Sequence, residues 1–272
     1  MNTTKQTRAT RALVESAMMI SLSTVFSIFK IIDMPYGGSV TIASMLPMIV
    51  FAYRHGLVWG LGAGAVFATL QQLLGLSTLS YVTGWQSIVA VVLLDYIVAF
   101  AVVGLGGIFK KLFATQKGGL IAGASLVMLL RYVCHVISGA TVWAGLSIPD
   151  SAALIYSISY NATYMLPETV ILLAVAYYLG DAIDFSKEVP TRIIATEKSD
   201  HGASLHILSG LSFLVGFVID VSLIAPCLQD GASGEFSFAG LKEVEWVAVS
   251  VVTVLSLAVG IALIIMKRKE KK

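Results

Sequence analysis

The stretch 131–161, RYVCHVISGATVWAGLSIPDSAALIYSISYN, decides how the rest of the chain is read. It sets Arg131, His135, Ser138, Trp143, Tyr156, Tyr160 and Asn161 inside a sequence that is otherwise mostly hydrocarbon. A polar atom carried into lipid must find a partner or cost free energy. So many together imply a protein-lined cavity rather than a lipid-facing surface. Arg131, His135, Ser138 and Gly139 stand at i, i+4, i+7 and i+8, one face of a helix. Trp143 lies about 40° beyond Gly139 on the same turn count. Tyr156, Tyr160, Tyr164 and Pro167 form a second stripe, at i, i+4, i+8 and i+11. Beside it, Asn161 offers the paired donor and acceptor that suit the edge of a heterocycle.

An acid precedes them. Asp95, in LLDYIVAF, lies ten residues after Trp85, or about 15 Å along a helix. At that depth an acid costs about 2.5–3.5 kcal/mol on insertion scales. It therefore needs Arg131, a bound cation or its own proton as partner. Together these groups outline a pocket for a small, flat, cationic molecule.

The composition sets the class. Of 272 residues, 57% are hydrophobic and 12% charged, with a mean hydropathy of +0.87. Soluble domains carry about 25% charged residues, so a polytopic all-α membrane protein is expected. Cys134 and Cys227 have no framework or metal spacing and read as small apolar fillers. No metal site, cofactor or nucleic-acid partner is expected. Gly56, Gly60 and Gly64 serve close helix packing; no strand precedes them and no Lys-Ser/Thr follows, so they form no nucleotide fingerprint.

Eight spans are expected, at roughly 10–32, 40–53, 56–76, 85–109, 119–142, 153–180, 205–226 and 244–266. The second is short and reads as tilted or partly re-entrant. The first follows Lys5, Arg8 and Arg11 and is too long for the core of a signal peptide, so it reads as retained. All of the 18 basic residues except Lys30, Arg131 and Lys242 fall on the side of the N-terminus. By the positive-inside rule both termini are then cytoplasmic. Ala17 and Ser21 on the first helix form a small-xxx-small pair for close packing. The loop DMPYGGSVTIASMLP, with Pro35, Gly37 and Gly38, makes a tight turn able to close over a pocket. The expected organisation is 1–182 as a six-helix unit, 183–204 as a polar cytoplasmic linker, and 205–272 as an appended transmembrane hairpin with a basic tail. Asp220 is an acid within that hairpin.

Four motifs in order carry a resemblance: YGG…P with RHG after it, LLDYIVAF, RYVCHVISGATVW and YSISYN. His135 to Trp143, of the form H-x-x-S/A-G-x-x-x-W, is the most specific. Across roughly residues 8–182 the chain resembles the thiamine-specific substrate-binding subunit (S component) of energy-coupling factor vitamin transporters. The resemblance implies a six-helix bundle with an outward-facing thiamine pocket in a prokaryotic plasma membrane. It implies a transmembrane coupling subunit and two cytoplasmic ATPases as partners. The family's acid–Tyr pair falls on Asp95 and Tyr96, although the acid is more often Glu. Its His, Gly and Trp fall on His135, Gly139 and Trp143, and its later Tyr and Asn on Tyr156 and Asn161. An aromatic before the acid falls on Trp85 and a basic residue before the His on Arg131. Ala17 and Ser21 match the pair that packs against the coupling subunit. One departure is Gly38, where some members carry a lid Trp.

The chemistry agrees with that ligand. The thiazolium is a permanent cation, which an ionised Asp95 would pair. His135 and Trp143 would stack on the rings, and Tyr156 and Asn161 would bond the aminopyrimidine edge. With no ATP motif in the chain, transport energy must come from partners. Three other readings compete: a proton-coupled secondary transporter using Asp95, His135 and Glu168, an intramembrane enzyme built on the same groups, and a structural subunit without a ligand.

Overall fold

The computed structural model describes residues 3–34, 37–143, 153–193, 200–224, 227 and 238–270. Two compact units emerge from the contacts, Met1–Thr191 and Arg192–Lys272. In the first, α1 (Thr3–Ile28) leads into a hairpin of β1 (Lys30–Asp33) and β2 (Ser39–Thr41). Then follow α2 (Leu46–His55), α3 (Leu57–Leu74), α4 (Trp85–Lys111), α5 (Gln116–Thr141) and α6 (Ala153–Ala182). In the second unit, α7 (Asp200–Ile224) and α8 (Trp246–Glu270) pair with each other. Among the described residues, six helices are long and apolar enough to cross a membrane: α1, α3, α4, α5, α6 and α8. The protein is a multi-pass all-α membrane protein with a six-helix first unit.

Polar side chains in these helices mostly satisfy themselves. In α1, the hydroxyls of Ser16, Ser21, Thr24 and Ser27 each donate to a carbonyl three or four residues back, at 2.7–2.8 Å. Such back-bonding lets a hydroxyl sit in apolar surroundings without an outside partner. The face carrying Leu13, Val14, Met18, Leu22 and Val25 is exposed.

The short second segment differs from a span. Residues 39–41 are strand rather than helix, and α2 has ten residues, about 15 Å. That is about half of a hydrocarbon core. Leu46 to Tyr53 are all buried, so α2 is a core helix wrapped by its neighbours. The β-hairpin was not expected: β1 and β2 pair antiparallel, with Ile32 opposite Val40 and Asp33 opposite Ser39. Pro35 lies outside the described residues.

The helices around α2 approach by their backbones. A side chain on Gly60 of α3 would run into the Gly104 carbonyl of α4, and one on Gly123 of α5 into the Gly106 carbonyl. In lipid, where apolar faces gain little by meeting each other, such close approach supplies the dispersion contact that holds helices together. Helix α4 is irregular. From Val92 to Val98 its hydrogen bonds reach one residue further than in an α-helix. A wide turn of this kind re-aims the side chains it carries and recurs at functional sites. Asp95 and Tyr96 stand in it.

A charged clamp closes the opposite end of the bundle from the β-hairpin. All five N–H groups of Arg54 are used: they donate to both carboxylate oxygens of Glu15 and to the carbonyls of Phe185, Lys187 and Glu188. His55 Nε2 lies 2.9 Å from the same Glu15 carboxylate, and Arg11 pairs with Glu188. Residues 185–188 are thereby tied to α1 and α2.

In the second unit, α7 and α8 are joined by hydroxyls and small residues. Ser209 donates to the Gly260 carbonyl and Ser212 to the Ser256 carbonyl, both at 2.9 Å. Asp220, the acid noted in the sequence, accepts from the Thr253 hydroxyl at 2.7 Å.

Candidate functional site

Asp95 is the centre of a polar cluster between α4 and α5. Its carboxylate faces His135 Nδ1 at 2.9 Å and accepts from Ser138 Oγ at 2.6 Å and from Trp143 Nε1 at 3.2 Å. The helical stripe of the sequence explains this: one and two turns along α5 bring His135, Ser138 and the residues after Gly139 past the wide turn of α4. The Nδ1 contact to a carboxylate places a proton on that nitrogen. Asp95 and His135 side chains are 15% and 12% exposed, so the pair is screened from bulk solvent yet not sealed.

Aromatic groups surround it. Trp143 forms an apolar cluster with Val82 and Val91, against which Tyr96 and Tyr156 pack. Tyr96 turns its hydroxyl to the Gly75 carbonyl at 3.1 Å and lays its ring along Phe100. Gly139 is buried beside Ser138.

Asn161 is buried and fully engaged. Its Nδ2 donates to the Ser157 carbonyl at 2.9 Å and to the His135 carbonyl at 3.3 Å, while its Oδ1 accepts from Tyr164 at 2.5 Å. It thus links α6 to the backbone of the residue that meets Asp95. Tyr164, a member of the second stripe of the sequence, is the residue that orients Asn161.

Arg131 is not the partner of Asp95. Its guanidinium lies 3.7 Å from Glu168 and over the Phe100 ring at 4.6 Å. Glu168 also accepts from Thr41 Oγ1 at 2.9 Å, with Ser44 Oγ 2.7 Å from that hydroxyl. No sequence signal marked Thr41 or Ser44; a strand residue meeting a helix 127 positions later leaves no local pattern.

Three residues stand apart. Trp85 opens α4 with 71% of its surface exposed, and the cluster does not reach it. The ring sits at the helix end, where aromatic residues anchor a membrane protein at the interface. Ala17 and Ser21 lie on the exposed face of α1, the Ser21 hydroxyl turned back to the Ala17 carbonyl at 2.8 Å.

The β-hairpin rests on α6 at the same end as Trp143. Tyr160 donates to the Gly37 carbonyl at 3.1 Å. Gly38 has φ +89°, and a Cβ there would lie 2.6 Å from the Tyr164 ring. A bulky lid residue therefore cannot occupy this position while the hairpin stays seated. Gly38→Ala is expected to lower stability by about 1–3 kcal/mol, from a strained φ and a clash together. Thermal unfolding of the purified variant checks this; an unchanged midpoint would show that the hairpin is not seated on Tyr164.

The chain is 36% identical to the thiamine transporter ThiT of Bacillus subtilis (strain 168) over 170 residues, 58% of this chain and 84% of that protein. It is 29% identical to the thiamine transporter ThiT of Lacticaseibacillus paracasei over 141 residues, 48% of this chain and 68% of that protein. A solved structure of ThiT from Listeria monocytogenes shares the fold, with a TM-score of 0.52 and 22% identity, over 64% of this chain and 94% of that one. Residues 13–186, the part that a family model matches, lie in the first unit, which holds the Asp95 cluster, the β-hairpin and the Arg54 clamp. The family model for thiamine transporter protein (Thia_YuaJ) matches residues 13–186, well over half of the chain, and this protein belongs to that family.

Proposed function

We propose that this chain is a high-affinity thiamine-binding subunit, which captures the vitamin outside the cell and delivers it inward with a coupling subunit and two ATPases. The observation that carries the reading is a partly screened carboxylate, Asp95, held by three donors beside the aromatic rings of Trp143, Tyr96 and Tyr156. A permanent thiazolium cation would find a fixed counter-charge there, and cation–π contact with Trp143 or a Tyr adds about 0.5–2 kcal/mol. The relatives named as thiamine transporters support the same ligand. Tyr156 would meet the aminopyrimidine edge, and Asn161 would do so by exchanging one of its internal bonds.

Energy would come from partners, because the chain has no nucleotide-binding motif. The exposed Ala17 and Ser21 face on α1 is the proposed contact with the coupling subunit, its small side chains permitting close approach. In this reading the β-hairpin faces outward and both termini are cytoplasmic.

Titration of the purified chain with thiamine, followed by intrinsic Trp fluorescence, tests the reading, with riboflavin and biotin as controls. Saturable quenching selective for thiamine is expected, and Trp143→Phe should remove most of the signal because Trp85 is exposed. Absence of a response from folded protein would overturn the ligand assignment. The Asp95–His135 contact also suits a proton path. Uptake into vesicles driven by a pH gradient, without any partner, would favour the secondary-transporter reading instead.

A further inference from the structure

The charged groups beside the cluster that do not touch Asp95 are Arg131 and Glu168, with Thr41 behind them. Both charged side chains are almost fully buried, at 5% and 4% exposure. A guanidinium does not give up its proton in a protein, so a buried one needs a counter-charge. Glu168 is the carboxylate paired with Arg131 among the described residues. The pairing is loose: 3.7 Å exceeds hydrogen-bond distance, and Arg131 Nε has no partner. The other contacts of the guanidinium are the Met128 sulfur at 3.7 Å and the face of Phe100. Glu168 is held from its far side by Thr41 at 2.9 Å. Charge is cancelled here without the guanidinium being locked.

The consequence lies in the charge that a ligand meets. Arg131 and Glu168 cancel. His135, one turn further along α5, faces Asp95 through Nδ1 at 2.9 Å. The Asp95 carboxylate is then the charge that a ligand meets. An organic monocation balances it. A phosphate monoester on that cation adds about −1.5 to −2 at neutral pH and reverses the match. We propose that Glu168 is a specificity-determining residue which, by cancelling Arg131, makes the site select a free organic monocation over its phosphate esters. Without Glu168, Arg131 would present an uncompensated guanidinium with an unused N–H, the group best suited to a phosphate oxygen. The inference rests on the thiamine reading above and adds to it which form of the vitamin is taken.

The test compares the Kd of thiamine with that of thiamine monophosphate near neutral pH, using the full chain. Three proteins are measured: wild type, Glu168→Gln, and Glu168→Gln combined with Arg131→Gln, which restores the original net charge. Wild type should favour thiamine by at least about tenfold, Glu168→Gln should cut that preference by about tenfold, and the double variant should recover it. A structural role for Glu168 would weaken both ligands alike and would not be reversed by a second substitution. Should the single variant fail to fold, wild type and the double variant carry the test: equal affinity for the two ligands in either overturns the inference. An unchanged preference in a folded Glu168→Gln also overturns it. Wild type that binds thiamine but does not discriminate removes this inference alone; wild type that binds neither removes the ligand reading with it.

Discussion

Asp95→Asn is expected to weaken thiamine binding by about 100-fold, close to 3 kcal/mol, within the range for removing one member of a desolvated charge pair. The amide keeps the shape of the carboxylate but not its charge. It also places an NH2 where an oxygen now accepts from Ser138, Trp143 or His135, so at least one donor would face another donor. Asp95→Glu keeps the charge at the cost of one extra methylene and should retain most of the affinity. Isothermal titration of both variants separates charge from shape. If Asn and Glu variants bound thiamine equally well, the carboxylate would not be the counter-charge of the ligand.

Arg54→Ala should be the most damaging substitution away from the candidate site. Arg54 and Glu15 side chains are 6% and 14% exposed. Truncation strips Glu15 of its guanidinium partner and leaves the carbonyls of Phe185, Lys187 and Glu188 without their donor. Breaking such a pair by removing one member costs about 3–5 kcal/mol. At roughly 2–4 °C per kcal/mol for a unit of this size, the midpoint of thermal unfolding should fall by about 6–20 °C. Arg54→Lys should rescue little, because an ammonium has three donors and no planar fork. A midpoint unmoved in the Ala variant would mean that α1, α2 and residues 185–188 hold together without the clamp.

The two variants probe different ends of the six-helix unit, and sequence reading bore on them unequally. His135, Ser138 and Trp143 shared a stripe because helical spacing is local, and an acid deep in a span demanded a partner on energetic grounds alone. Which partner it has was open. The wide turn from Val92 to Val98 and the reach of α5 past it bring His135, Ser138 and Trp143 to Asp95, and leave Arg131 to Glu168. Trp85 shows the reverse: ten residues of helix separate it from Asp95, and its exposed ring stays at the helix end.

Composition and hydropathy by themselves determined that this is an all-α membrane protein with a six-helix unit and an appended hairpin. Lipid allows few ways to satisfy a backbone, and long apolar runs declare the helical one. Spacing within one helix determined which side chains share a face. Tertiary structure alone decided everything that joins distant segments: the β-hairpin seated on Tyr160 and Tyr164, Thr41 against Glu168, and the five-fold engagement of Arg54. Those contacts depend on where whole helices pack, which backbone-to-backbone approaches such as Gly60 on Gly104 set; the four-residue recurrence of Gly56, Gly60 and Gly64 marks a packing face without naming the helix that meets it.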